Sequence, residues 1–324
     1  MPAPSVTAVV PVHNGVGLLE CLLASIGAQT VPFTEIIVVD DASTDGAPDV
    51  ARRNGCRVIA MGTNAGFARA VNTGCRAAVT EWIAILNSDV ELDAGWLEKL
   101  LAGAGDAGFA TGTLLDAADR SRMDGTYDLV SRAGCAWRAG NGEKLSAAGI
   151  ESRRIAVAPA TACIFRREVL EKAGGFDESF GSYLEDVDLG LRCLRDGVAG
   201  VWVPCATARH RGSATFGRWS ARATRLISRN QVLLVARHYD ARLFRQCFRQ
   251  IVVGQLLWGL IAIRHGRGLG WMAGKFDGLR GFRLGGRPSA ALRDFLDASE
   301  NELRVRATRD AYWRWYFRLT GAAH

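Results

Sequence analysis

Glu185-Asp186-Val187-Asp188 sets three carboxylates within less than one helical turn of a chain whose formal net charge is +7. Like charges this close cost energy unless each has a partner or a task. Carboxylates can brace a helix start, bind a cation, or take a proton from a substrate hydroxyl. At ~100° per residue, Leu184, Val187, Leu191 and Leu194 form an apolar stripe, with Glu185, Asp188, Arg192 and Arg195 beside it. Asp186 lies off both, near Gly190 and Cys193. Ser182 and Glu185 have the spacing of a capping box. Asp188 and Arg192, four apart, have that of an ion pair worth ~0.2–0.5 kcal/mol. Asp186 stays open between an acid favoured by the helix dipole and a working carboxylate.

A second group of small polar residues follows a series of strands. Val6–Val12, residues 35–39, residues 57–61 and Trp82–Leu86 read as strands, separated by helical patterns after Gly17, after Ser43-Thr44-Asp45 and over 66–79. Such alternation implies a parallel sheet, whose ligands bind beyond the carboxyl ends of the strands. His13 and Asn14 follow the first strand, Asp40 and Asp41 the second, Asn64 the third, and Asn87, Ser88 and Asp89 the fourth. Each alone is ordinary turn chemistry; four together point to a site.

Missing motifs narrow its ligand. Gly15-Val16-Gly17 is followed by Glu20 where the dinucleotide fingerprint needs its third glycine, and there is no P-loop. Asp89, after the buried strand, could instead hold a divalent cation that neutralises a diphosphate. The eight cysteines show no C-x-x-C or zinc spacing, as in a reducing compartment. The start of the chain lacks signal-peptide features. The apolar run 251–263 contains Gln255 and is shorter than a membrane span, so a cytosolic protein with no transmembrane segment is expected.

The ordered motifs Val10-Pro11-Val12-His13-Asn14, Val38-Val39-Asp40-Asp41-Ala42-Ser43-Thr44-Asp45-Gly46, Asn64-Ala65-Gly66 through Asn72-Thr73-Gly74, Leu86-Asn87-Ser88-Asp89, Gly174-Gly175-Phe176-Asp177-Glu178 and Tyr183-Leu184-Glu185-Asp186-Val187-Asp188-Leu189 together resemble a family 2 glycosyltransferase. The resemblance is to the rhamnosyltransferase-like branch and covers about residues 5–213. It implies the GT-A fold: α/β, a mixed, mostly parallel sheet flanked by helices. It also implies an inverting transfer from a nucleotide-diphosphate sugar, with deoxythymidine-diphosphate rhamnose as the branch's donor, to a glycan or lipid-linked acceptor in cell-surface polysaccharide or glycolipid synthesis. By the same resemblance Pro11, His13, Asn14, Asp40 and Asp41 contact the nucleoside, and Asn64, Gly66 and Asn72 lie beside base and ribose. Asn87-Ser88-Asp89 takes the place of the D-x-D motif, with Asn87 replacing its first acid and Asp89 binding Mg2+ or Mn2+. Glu185-Asp186 matches the E-D pair whose aspartate is the catalytic base. His210 resembles a histidine that approaches the metal, although its place between two arginines equally fits a surface side chain.

Residues 1–104 are thus expected to form the donor half, 105–213 the acceptor half, with loops over 105–160, and 214–324 a basic, mainly helical extension. Residues 209–324 carry 22 Lys and Arg against 7 Asp and Glu, whereas residues 1–208 carry 18 against 26. In the tail Ile251, Leu256, Leu257, Trp258, Leu260 and Ile261, flanked by Arg245, Arg249, Arg264, Arg267 and Lys275, fit an interfacial helix on an anionic membrane. They fit packing on the body or a second subunit, as a homo-oligomer, equally well. No nucleic-acid module accompanies the charge. Two other classes share parts of the pattern. A nucleotidyltransferase acting on sugar phosphates would be expected to carry a basic loop after the first strand, which His13-Asn14-Gly15-Val16-Gly17 is not. A non-catalytic membrane or assembly module on a transferase-like body is the other.

Overall fold

The structure, a computed structural model, describes residues 4–147, 149–212 and 219–321. The chain forms two compact units. One comprises Met1–Tyr127, Gly140–Gly181 and Glu185–Thr215, the other Asp128–Ala139, Ser182–Leu184 and Phe216–His324. The boundary expected at 213 lies outside the described residues.

In the first unit β1 (Val6–Val12), β2 (Glu35–Asp40), β3 (Arg57–Ala60) and β4 (Trp82–Leu86) lie parallel in the order β3-β2-β1-β4. Helices α1 (Val16–Gly27), α2 (Ala47–Arg53) and α3 (Phe67–Ala77) connect them. Both faces are covered, which is why β4 is an unbroken apolar run and β1 is apolar but for Thr7, whose hydroxyl accepts that of Thr80. Beyond β4 the sheet continues through β11 (Ala162–Arg166), β6 (Phe109–Asp116), β12 (Gly200–His210) and β10 (Arg153–Ile155), with β5 (Val90–Leu92) on β12 and β7 (Met123–Gly125) on β6. Strands β1–β4, β6 and β12 share one direction, and β5, β7, β10 and β11 oppose it. The sheet is therefore mixed and mostly parallel.

Leu19 and Leu22 of α1, Val50 of α2, and Trp96, Leu97 and Leu100 of α4 (Trp96–Ala104) bury one face of the sheet against Val10, Val38, Ala84 and Leu86. Helix α3 covers the other face at very close range. A Cβ on its Gly74 would stand 2.4 Å from Val9 Cγ1, so only glycine lets the helix settle there.

The expectation of loops over 105–160 is corrected: this stretch contributes the buried strand β6. Its apolar pattern is interrupted by Thr111, Gly112 and Thr113. Both threonines are buried and donate to backbone carbonyls, Thr111 to Ala162 and Thr113 to Pro204. Gly112 lies where a Cβ would be 1.8 Å from the Ala206 carbonyl. Satisfied hydroxyls and a glycine thus stand where an apolar rule looks for side chains.

The second unit holds α7 (Ala221–His238), α8 (Ala241–Arg264), α9 (Gly268–Leu279), α10 (Ala290–Arg306), α11 (Ala311–Thr320) and the hairpin of β8 (Asp128–Val130) with β9 (Ala136–Arg138). Ser220, Asp240, Ser289 and Asp310 cap α7, α8, α10 and α11 through their side chains. Arg132 after β8 pairs with Asp297 and Glu300 of α10. Lys275, one of the basic residues flanking the apolar stretch, is half-buried and turned inward, with Nζ donating to the Ser228 carbonyl (2.8 Å), Gln231 (2.9 Å) and Gln255, and desolvation pushes its pKa down to about 7. Helix α8 runs 24 residues, beyond the apolar run, and by length and composition alone could cross a membrane, although only 22% of its apolar window is buried.

Candidate active site

The carboxyl ends of β1, β2 and β3 are level, with Val12 opposite Asp40 and Asp40 opposite Ala60, so the loops that follow them interlock. His13 Nδ1 donates to the Asp41 carbonyl at 2.8 Å. Asn14, at φ 62°, donates its N–H to Ser43 Oγ and accepts the Thr44 N–H, both at 2.8 Å. Asp45 accepts the Val16 and Ala47 N–H groups, each at 3.0 Å, and so ties the starts of α1 and α2 together.

Adjacent acids play different parts. Asp40 accepts the Ser43 N–H through Oδ1 at 3.0 Å. Asp41 is 5% exposed, and its two oxygens accept the N–H groups of Ala65 (2.7 Å) and Gly66 (2.9 Å). Asp41 therefore holds the loop between β3 and α3, in which Asn64 is exposed and Gly66 takes φ 90°. Asn72 is likewise engaged by protein. Its amide donates to the Phe176 carbonyl and accepts the Phe176 N–H, both at 2.8 Å, which fixes the Gly174-Gly175-Phe176 turn. A Cβ on Gly175 would fall 2.6 Å from Asn72 Oδ1.

After β4, Asn87 donates its N–H to the Thr161 carbonyl at 2.9 Å. Its Oδ1 is buried and accepts no hydrogen bond from any described residue. Asp89 Oδ1 lies 3.4 Å from His210 Nε2, and His210 Nδ1 donates to Asp124 Oδ2 at 2.9 Å. The pairing of His210 with Val90 brings the end of β12 beside Asp89. His210 is not a surface side chain: it is 12% exposed, while Arg209 turns to Glu91 and Asp93. Burial opposes charge on the His210 ring, but the hydrogen bonds and charges of Asp124 and Asp89 prevail and push its pKa up to about 9.

The acidic knot begins α6 (Glu185–Arg195). The expected capping box does not form. Tyr183 and Leu184 lie at φ 70° and 67°, so Glu185 opens the helix instead of standing at its third position, and Leu184 falls off the apolar stripe. Successive left-handed residues without glycine store strain of about 1–3 kcal/mol each, a cost that clusters at working sites. Asn230 donates to the Ser182 and Tyr183 carbonyls at 2.9 and 2.6 Å. The Asp188–Arg192 pair forms at 2.8 Å, buried, and Arg192 also donates to the Ala173 and Gly175 carbonyls. Helix α6 is thereby fastened to the end of α5 (Arg167–Ala173).

Asp186 does face the Gly190 side. A Cβ on Gly190 would meet the Ala156 carbonyl at 2.7 Å, and Asp186 Oδ2 accepts the Ala160 N–H at 3.1 Å. Ala160 holds Asp186 and Thr161 holds Asn87. Two consecutive residues before β11 thus tie the half-buried Asp186 to the Asn87-Ser88-Asp89 turn. Glu185 is buried beside it. Asp124 was missed from sequence; it is one of four scattered aspartates, with Asp116, Asp119 and Asp128, and no motif marks it.

A carboxylate and an amide oxygen with no donor beside Asp89 suit a hard cation, and the His210 imidazole could join them once a cation displaces its Nε2 proton. Among the described residues no group of three or more acidic, histidine or cysteine side chains forms a complete metal site.

The sequence model of the family described as "Glycosyl transferase family 2" matches residues 7–174, more than half of the chain. The chain belongs to this family. Among similar proteins, the N-acetylglucosaminyl-diphospho-decaprenol L-rhamnosyltransferase of Mycobacterium tuberculosis is 30% identical over 230 residues, 62% of this chain and 74% of that one. The pre-mycofactocin glycosyltransferase of the same organism is 29% identical over 298 residues, 90% of this chain but 60% of its own length. Two solved glycosyltransferases share the fold. GalNAc-T7 with UDP, GalNAc and Mn2+ has TM-score 0.62 at 15% identity, over 87% of this chain and 58% of that one. The mannosyltransferase of Pyrobaculum calidifontis with GDP-Man and Mn2+ has 0.53 at 18%, over 98% and 86%. This family 2 chain therefore has the GT-A fold, with a helical C-terminal region.

Proposed function

We propose that this chain is an inverting glycosyltransferase that moves a sugar from a nucleotide-diphosphate sugar to a hydroxyl of a glycan or lipid-linked acceptor at the cytoplasmic face of a membrane. Rhamnose from deoxythymidine-diphosphate rhamnose is the leading donor, supported by the likeness to an L-rhamnosyltransferase. The observation that carries the proposal is the fastening of Asp186 and Asn87 to Ala160 and Thr161. It sets a carboxylate close to a turn whose free oxygens suit the departing diphosphate's counter-ion.

Asp186 takes the proton of the acceptor hydroxyl as that oxygen attacks the anomeric carbon. A positioned base is typically worth about 10²–10⁴-fold. Its bond from Ala160 leaves further lone pairs for that proton, and Glu185 holds its place at the first turn. A single displacement inverts the anomeric centre and needs no protein nucleophile. Pro11, His13, Asn14 and Asp40 line the nucleoside pocket with Asn64 and Gly66, while Asp41 and Asn72 shape it through the loops they hold. Asp89, Asn87 Oδ1 and His210 would hold a divalent cation, with Ser88 between them facing the diphosphate. The bound cation, Mg2+ or Mn2+, supplies positive charge to the leaving diphosphate.

A panel of nucleotide sugars, assayed for nucleoside diphosphate release with Mn2+ or Mg2+, tests the proposal. Turnover of one donor and its loss with chelator are expected; failure to bind or turn over any donor would sink it.

A further inference from the structure

Helices α8 and α9 are built with their bulky residues on the outside. On α9 the packing face is glycine: Gly270, Gly274 and Gly278 recur every fourth residue, and Cβ atoms on them would lie 3.0, 2.2 and 3.0 Å from the carbonyl oxygens of Ala221, Arg225 and Arg229 of α7. The large side chains Leu269, Met272, Phe276 and Leu279 are all more than half exposed. On α8 the same inversion holds. Gly254, Gly259 and Ala262 are buried, while Val252, Leu256, Leu260 and Ile263 form an exposed stripe at helical spacing.

The two helices form a hairpin. Gly268 packs against Ile263, Trp271 against Gly259, and Lys275 donates to Gln255. On one side Trp258 and Lys275 bond to α7, and Gln255 donates to the Ala133 carbonyl. The exposed stripes are what remain. No described residue covers them, and a contiguous apolar face of this kind marks an interaction surface.

Charge identifies the partner. Helix α8 has no acidic residue, and the single acid of α9, Asp277, is paired with Arg225. Arg245, Arg264, Arg283 and Arg287 are exposed around the stripes, and Arg280 lies over the Phe276 ring, 4.6 Å from its centroid. Apolar residues flanked by these arginines match an anionic bilayer, into which the side chains dip while the guanidinium groups meet lipid phosphates. A helix spanning the bilayer fits less well. Helix α8 places Arg242, Arg245 and Arg249 in its first half and uses its other side for polar bonds inside the unit.

We infer that the outer faces of α8 and α9 form a docking surface for an anionic lipid bilayer, with the hairpin lying along the interface. The inference does not depend on which sugar is moved. Flotation of the full chain with phosphatidylcholine vesicles, with and without phosphatidylglycerol, is the test. The wild type is expected to float with phosphatidylglycerol vesicles and far less without them. Leu256→Glu/Leu260→Glu and Met272→Glu/Phe276→Glu should each weaken binding by about tenfold or more, and Arg280→Gln/Arg283→Gln by several-fold. Donor turnover and circular dichroism on the same preparations separate lost docking from lost folding or lost activity. Absence of vesicle binding, equal binding by the glutamate variants, or a wild-type dimer that those variants dissociate, which would assign the face to a second copy, would overturn the inference.

Discussion

Asp41→Asn separates an acid that shapes the donor pocket from one that touches the donor. In the native chain each Asp41 oxygen accepts one backbone N–H, at 2.7 and 2.9 Å, with the side chain 5% exposed. Asparagine keeps one acceptor and turns an NH2 towards the other N–H, leaving two donors face to face. Hydrogen bonds to charged groups contribute roughly 1.5–3 kcal/mol, and an orphaned buried donor costs ~1–3 kcal/mol. The expected loss is therefore about 2–4 kcal/mol, which for a unit of this size lowers Tm by about 5–15 °C. Asp40→Asn is the matched comparison. Its Oδ1 keeps the Ser43 bond, so its stability should fall by less than about 1 kcal/mol while donor affinity falls. Scanning calorimetry gives Tm and titration of the nucleoside diphosphate gives affinity. An Asp41→Asn protein as stable as the wild type but unable to bind nucleotide would refute the division of labour between the two acids.

Asp124→Ala removes the acceptor that aims His210. The Mn2+ concentration for half-maximal donor turnover should rise by about 10–100-fold, as should that for Mn2+ binding followed by electron paramagnetic resonance. An unchanged requirement would show that Asp124 does not position the histidine. Lys275 gives a pH signature. Its folded pKa, about 7, lies below the ordinary lysine value of 10.5, so between these values the unfolded chain binds the extra proton and stability rises with pH. Relative to Lys275→Met, the native protein should gain roughly 2 kcal/mol from pH 7 to pH 9. Denaturant melts that stay parallel across this range would show that the three oxygen acceptors keep the ammonium charged.

The strand-and-loop frame of the donor half was legible because both faces of β1, β2 and β4 are covered, so their residues are largely apolar and end in small polar ones. Asp186 was legible too, since helical spacing alone set it off both stripes, and the Ala160 bond lies on that side. The acceptor half was not. Strand β6 hides behind Thr111 and Thr113, whose hydroxyls are satisfied by carbonyls distant in sequence. The capping box failed because two left-handed residues, invisible as Tyr183 and Leu184, move the helix start to Glu185. Whether Lys275 faced solvent or the interior depended on the glycine contacts of α9 with α7, and whether His210 was surface or site depended on the register of β12 against β5. Both are tertiary facts.

The most direct test of the chemistry is Asp186→Asn, assayed for sugar transfer with the donor found in the panel and a prenyl-diphosphate-linked sugar as acceptor, beside donor affinity measured by calorimetry. Transfer should fall by about 10²–10⁴-fold with donor affinity within a few-fold of wild type, because the amide oxygen keeps the Ala160 N–H and the NH2 replaces only the oxygen that accepts the adjacent Val187 N–H. Normal turnover by Asp186→Asn with that acceptor would contradict its assignment as the base.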